Sequence, residues 1–332
     1  MSASHHLSRL QGYMPALPTP FDAGGNIDCV TFGSFCERQI RAGAVALVVG
    51  GTTGEAPTLT PGEHDVLVRV ALDVADRRVP VIAGAGSNST AHAIELARKA
   101  EKAGADAILS VVPYYNKPMQ AGMYAHFRLI LASIGLPMIL YDVPGRTVVG
   151  LADETIARLA ELPQCIGLKD AGSDTTRPLR LRALVGSQFR LFSGDDATAL
   201  AFLGQGGDGC ISVVSNVASA LCRDMHAAWR QGNVIRAQAH AALVARLAAV
   251  LVRESSPAPV KHALGVMHLM SPRLRLPLVE PKDETKLEIE KLLRQIGAKH
   301  PDYLIGEASR PEFSATWWSA PPRSKPRLVV VS

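Results

Sequence analysis

The chain has 332 residues, 47% apolar and 20% charged: ample material for a large buried core, and no composition of general disorder. Its net charge of +5 comes from basic residues interspersed with acids, apart from Arg310, Arg323, Lys325 and Arg327 in an unusual last segment, which argues against a nucleic-acid-binding protein. The five cysteines (Cys29, Cys36, Cys165, Cys210, Cys222) form no Cys-x-x-Cys pair, no apolar signal core follows Met1, and the longest apolar stretch is read around Ala44 to Val49, so a cytoplasmic protein with reduced thiols and no membrane span is expected.

Short β-rich runs fall at Tyr13 to Leu17, Val45 to Val49, Val79 to Ala83, Ala107 to Val112, Pro137 to Tyr141, Cys165 to Lys169, Phe189 to Ser193 and Gly209 to Val214. Between them lie segments of helical periodicity: Asp28 to Arg41, Gly62 to Asp76, Ala91 to Ala103, Ala121 to Ser133, Asp153 to Leu162, Thr175 to Leu184, Ala197 to Leu203 and Asn216 to Gln231. Starts such as Thr60-Pro61-Gly62-Glu63 and Asn88-Ser89-Thr90, with glycine at helix ends (Gly43, Gly104), support these boundaries. Eight strands each followed by a helix predict a (β/α)8 TIM barrel over residues 1–232, with an open doubly wound sheet as the alternative. After Gly232 the strand signal ends. Val234 to Val252, Pro259 to Met270 and Asp283 to Gly297 then read as a small helical domain over 233–299, and 300–332 as an irregular tail, loosely ordered or docked, with no assigned chemistry.

In such a barrel the chemistry sits at the carboxyl ends of the strands, so the residues just after each run carry the functional information. Lys169 closes the apolar run Cys165-Ile166-Gly167-Leu168. Only a neutral amine attacks a carbonyl, and a free lysine with a pKa of about 10.4 is almost wholly charged at neutral pH, so apolar strand ends are where amine nucleophiles are sought. A lone strand-end lysine beside Asp170 is more often snorkelling or ion-paired, and the neighbouring motifs decide the matter. Strand two ends in Gly50-Gly51-Thr52-Thr53-Gly54-Glu55, whose amides and hydroxyls suit a carboxylate but which lacks the lysine of a phosphate loop. Strand four gives Pro113-Tyr114-Tyr115-Asn116-Lys117-Pro118, and strand five Tyr141-Asp142-Val143-Pro144-Gly145-Arg146-Thr147, bringing phenols for proton relay and a guanidinium fork for a carboxylate. In Ser193-Gly194-Asp195-Asp196 the expected role of Asp196 is to cap the following helix, and Gly209-Cys210-Ile211-Ser212 offers backbone to line the site. The histidines show no ligand spacing, so no metal is assigned.

Together these motifs resemble the dihydrodipicolinate synthase family of the pyruvate-dependent Schiff-base aldolases. The resemblance runs from about Leu10 to Gly297, and also takes in Ala16-Leu17-Pro18-Thr19-Pro20-Phe21 and Arg275-Leu276-Pro277-Leu278. It implies that Lys169 forms an imine with pyruvate and, as an enamine, attacks L-aspartate 4-semialdehyde, with no cofactor beyond that covalent imine. On the same mapping Tyr141 is the central acid/base, Thr52 links it to the hydroxyl of Tyr115 supplied by a neighbouring subunit, Thr53 holds the pyruvate carboxylate and Arg146 the semialdehyde carboxylate. Gly194 and Ile211 contact substrate through their main chains. A tight dimer, and by resemblance a tetramer, follows. Aldolases of the sialic-acid or keto-deoxy-sugar type usually lack the arginine at the position of Arg146. Such an aldolase, or a catalytically silent keto-acid-binding barrel, is the alternative. The chain departs from the pattern at Asp142, where many members have Asn, and at Val148, where many have Gly. At the interface site of lysine-inhibited members, His64, Asn88 and Tyr114 match, while Ala56, Pro57, Pro61 and His92 replace polar or acidic positions, so weak lysine inhibition is expected.

Overall fold

The computed structural model describes residue 7 and residues 10–305. Eight parallel strands, β1 Gly12–Pro15, β2 Leu47–Val49, β3 Val81–Gly84, β4 Ala107–Val111, β5 Met138–Asp142, β6 Cys165–Asp170, β7 Arg190–Ser193 and β8 Gly209–Ser212, form one sheet in the order β1-β8-β7-β6-β5-β4-β3-β2. The remaining seam between β1 and β2 is closed by a parallel bridge from Ala16 to Val48 and by the bonds Leu17 N–H to Val48 O (2.9 Å) and Val45 N–H to Tyr13 O (3.1 Å). The result is a (β/α)8 TIM barrel, with the open sheet excluded by the closed seam.

Strand alternation builds two cores. Met14, Val48, Ile82, Leu109, Ile139, Tyr141, Phe192 and Ile211 point inward and fill the barrel. Their neighbours Tyr13, Leu47, Val49, Val81, Ile108, Met138, Leu140, Leu191 and Cys210 point outward against the helices. Both faces are buried, which is why the strands read as short continuous apolar runs. Leu168 belongs to the outer set, so the pleat turns Lys169 into the barrel.

The surrounding helices are α1 Cys29–Arg41, α2 Pro61–Ala75, α3 Thr90–Ala103, α4 Gln120–Leu131, α5 Asp153–Ala160, α6 Arg177–Val185, α7 Ala199–Gly204 and α8 Ser219–Arg230. Local chemistry sets several starts: Asp28 accepts from Thr31 N–H (3.0 Å), and Ser89 from His92 N–H (3.4 Å). At α2, Thr60 and Glu63 form a reciprocal capping box, and Glu63 also receives Arg275 Nη1 at 2.9 Å. Gly104, with φ of 95°, closes α3 in the left-handed region that glycine enters without strain.

Beyond Gly232 come α9 Val234–Leu251, α10 Ala258–Val266 and α11 Asp283–Lys299. Two expectations need correction. Val234–Leu251, with a mean hydropathy of 1.4, is long and apolar enough by length and composition to cross a membrane, so Ala44 to Val49 is not the longest apolar stretch. In the fold this helix buries Ala237, Val244, Leu247, Ala248 and Leu251 in the core. The expected irregular tail, moreover, begins with a helix, α12 Pro301–Ile305, opened by proline at its first position. It is docked: Tyr303 Oη lies 3.2 Å from His240 Nδ1, and Arg38 Nη2 donates to Leu304 O at 2.7 Å. The rest of the tail, 306–332, lies outside the described residues.

The Arg275 guanidinium, with donors from Thr60, holds the Glu63 carboxyl down at about 2. A depressed native pKa gives stability that is present above the unfolded value, near 4.5, and lost as pH falls towards 2. Thermal midpoints of the parent and Glu63→Gln should therefore differ most above pH 5 and converge on acidification towards pH 3. A gap independent of pH would show that the ion pair contributes nothing.

Candidate active site

Lys169 lies at the mouth of the barrel, paired in strand register with Tyr141 on β5 and Phe192 on β7. The side chain is only 6% exposed, and Nζ sits 4.2 Å from the centroid of the Tyr141 ring. Gly194 bounds it on a third side, because a Cβ there would lie 3.1 Å from Lys169 Cε and 2.7 Å from Ala171 Cβ. Glycine is thus required for contact, since no side chain fits beside the amine's methylene.

Among the described residues the lysine makes no ion pair: the pleat that turns it inward turns Asp170 to the other face of the strand, into a buried cluster. Asp170, its chain neighbour, faces Arg177 at 3.4 Å instead. Arg177 also donates to Asp142 Oδ2 (2.8 Å), to Asp153 Oδ1 (2.8 Å) and to Leu151 O. Desolvation raises the pKa of Asp142, opposed by Arg177 and reinforced by Asp170, and desolvation likewise raises that of Asp170. Burial works against the charge on Arg177, but the surrounding carboxylates outweigh it and raise its pKa. Sequence reasoning missed this cluster. Asp142 and Asp170 follow Tyr141 and Lys169 and are paired in register, but Arg177 comes from the next helix, and no local signal links it to them.

The other candidate residues are placed as follows. Thr52 and Thr53 lie in the turn after β2, Thr53 buried and Thr52 half-buried. Ile211 is fully buried on β8, in the interior cluster with Tyr141 and Phe192. Arg146 stands exposed on the rim in a helical turn, Pro144–Thr147, and among the described residues its guanidinium has no ion pair. Tyr115 is not packed into its own chain's site: it is 89% exposed and held at φ of 72°. Asp196 does not cap the helix after it. Thr198 opens that helix with no side-chain cap, and Asp195 closes only the turn before it, accepting from Ala197 N–H (3.1 Å) and Thr198 Oγ1 (2.9 Å). Asp196 is buried instead against the end of β8, accepting from Ser212 Oγ and from the N–H groups of Val213 (2.8 Å) and Val214 (3.1 Å). Three donors at and just past the end of the neighbouring strand satisfy the buried carboxylate better than one exposed helix start. Among the described residues no group of three His, Cys, Asp or Glu side chains could hold a metal ion.

The site is thus a buried lysine, without an ion pair among the described residues, facing a tyrosine at the carboxyl mouth of a (β/α)8 barrel. The chain belongs to the dihydrodipicolinate synthetase family, whose model matches residues 9–296. It is 48% identical over 289 residues to a 4-hydroxy-tetrahydrodipicolinate synthase of Gluconobacter oxydans (strain 621H), covering 87% of this chain and 97% of that one. Among solved structures it is similar to the chloride-inhibited dihydrodipicolinate synthase of Acinetobacter baumannii complexed with pyruvate, with TM-score 0.85, 40% identity, and 87% and 99% of the two chains covered. It is equally similar (TM-score 0.85, 38% identity, coverage 88% and 98%) to a dihydrodipicolinate synthase variant described as monomeric.

Val148, just past Arg146, adopts φ of 68°, a conformation costly for a β-branched residue and free for glycine. Replacing it by glycine relieves strain of roughly 1–3 kcal/mol against an unfolded-state entropy cost of about 0.5–1 kcal/mol. Val148→Gly should therefore raise the denaturant midpoint, and a lower midpoint would show that the valine side chain is held by contacts that outweigh its backbone strain.

Proposed function

We infer that the protein is a lyase that carries out the 4-hydroxy-tetrahydrodipicolinate synthase reaction of lysine and diaminopimelate biosynthesis, joining pyruvate to L-aspartate 4-semialdehyde through an imine on Lys169. The observation that carries this reading is the amine itself: buried at the barrel mouth, free of any carboxylate partner among the described residues, and lying over the ring of Tyr141. Attack of the neutral amine on the ketone of pyruvate, followed by loss of water, gives the imine; loss of a methyl proton gives the enamine. The enamine carbon then adds to the aldehyde, forming the new C–C bond, and the amino group of the semialdehyde displaces Lys169 as the ring closes. The imine provides the electron sink, so the reaction calls for no further cofactor.

In this reading Tyr141 moves the protons, Thr53 binds the pyruvate carboxylate, and the backbone at Gly194 and Ile211 lines the pyruvate site. Thr52 connects Tyr141 to Tyr115. Exposure of Tyr115 in a left-handed conformation supports its insertion into the mouth of a second subunit, which makes the working unit a dimer, and pairs of dimers a tetramer. Arg146 stands free on the rim to take the semialdehyde carboxylate. The five unpaired cysteines, four of them buried, and the packing of the apolar helix α9 into the core support a cytoplasmic setting.

The test is turnover with pyruvate and a panel of aldehydes. The semialdehyde should be used in strong preference to polyol aldehydes, and Arg146→Ala should raise its KM roughly 10- to 100-fold, the equivalent of one charged hydrogen-bonded contact of about 1.5–3 kcal/mol. Preference for a long polyol aldehyde would replace this reading with a sugar-acid aldolase, and no turnover of any aldehyde would leave a binding barrel. L-Lysine at sub-millimolar concentration should leave the rate nearly unchanged, because His92, engaged with Ser87 Oγ at 3.3 Å, offers no carboxylate to an ammonium. Strong inhibition by lysine would contradict that expectation.

A further inference from the structure

The turn that carries Thr52 and Thr53 is held from outside the barrel. It is coiled tightly, with Gly54 N–H bonded to Gly51 O (3.1 Å), Glu55 N–H to Thr52 O (3.1 Å) and Ala56 N–H to Gly51 O (3.2 Å), so the backbone of Glu55 and that of Thr52 move together. Glu55 sits at φ of 59°, left-handed and unfavourable for a residue with a Cβ. Its carboxylate is fully buried, accepting from Lys261 Nζ at 2.7 Å and from Arg275 N–H at 3.0 Å. Lys261 belongs to α10 in the C-terminal helices and is fully buried too. Phe21 lies between the two cations, its ring centroid 4.3 Å from Lys261 Nζ and 4.4 Å from the Arg275 guanidinium carbon. Thr19 Oγ1 also donates to Gly54 O at 2.7 Å. Arg275 ties the same region further through Thr58 O (3.0 Å) and Glu63.

A buried ion pair is not a cheap brace, because hydrophobic residues of similar volume often serve stability as well or better. What the pair provides is one geometry. Charge holds Glu55 in a backbone conformation it would otherwise leave, and that conformation sets the directions of the two threonine hydroxyls.

We propose that Lys261 and Glu55, with Arg275, are positioning residues for the reaction: the C-terminal helices act on the barrel mouth through the buried Lys261–Glu55 pair, which sets the Thr52–Thr53 turn to receive the pyruvate carboxylate. This rests on the reading of Thr53 given above.

The test compares Glu55→Gln, Lys261→Met and Thr53→Val in the full-length protein by steady-state kinetics with both substrates, alongside thermal midpoints. Glu55→Gln is nearly isosteric and keeps acceptor oxygen for Arg275, so it remains informative if Lys261→Met fails to fold. Misplacing a binding hydroxyl by about 1 Å costs up to roughly 100-fold. Glu55→Gln, and Lys261→Met where folded, should therefore raise the KM for pyruvate by roughly 10-fold or more, with the KM for the aldehyde changed less than about twofold. If Thr53→Val raises the pyruvate KM while folded Glu55→Gln lowers only the thermal midpoint, the pair is a structural brace and the proposal is overturned. If Thr53→Val itself leaves the pyruvate KM at the parent value, the reading of Thr53 fails and the proposal falls with it.

Discussion

Arg177 holds together the strand ends that carry Lys169 and Tyr141. The strand pleat turns Asp170, the next residue to Lys169, to the opposite face, so the carboxylate beside the lysine in sequence is no partner for its amine. Arg177 takes Asp170 together with Asp142 and Asp153 on that outer face, while inside the barrel the amine faces an aromatic ring. The pleat thereby separates two tasks. The charges that anchor β5, β6 and α6 to one another lie on the outward face of the strands, and Lys169 and Tyr141 lie on the inward face of the same strands.

Around that pair, the site is assembled from strand ends far apart in sequence. β2 gives the threonine turn, β5 the tyrosine and the rim arginine, β6 the lysine, and β7 the glycine that leaves room for it. Each loop has its own support. Asp196 ties the turn after β7 to the end of β8, and Glu55 ties the turn after β2 to Lys261 of the C-terminal helices. These supports are buried charges with their hydrogen bonds satisfied, which fix direction as well as proximity. The C-terminal helices are accordingly part of the apparatus at the mouth, although no candidate site residue lies on them.

All eight strands and the barrel helices were legible in the sequence because their signal is local: an apolar run bounded by turns, or an apolar stripe of helical period. The places of Lys169 and Tyr141 near the ends of their own strands, and of Arg146 in the turn after β5, were legible for the same reason. What sequence could not show depends on pairs brought together by folding. Lys261 reads as a lysine in a helix, and nothing within its own element announces Glu55, 206 positions away. Asp196 looks like a helix cap until β8 is placed beside it. The helix at Pro301–Ile305 is too short to carry a periodic signal, and it is fixed by contacts to Arg38 and His240. Tyr115 was legible as a motif residue, while its exposure emerges only from the fold.

The central claim is that the Lys169 amine is the nucleophile that takes up pyruvate. Reduction with sodium borohydride in the presence of pyruvate, followed by peptide mass mapping, tests it most directly. The account predicts a single reduced pyruvate adduct on the peptide containing Lys169, absent from Lys169→Ala. An adduct on another lysine, or trapping that survives the substitution, would contradict it.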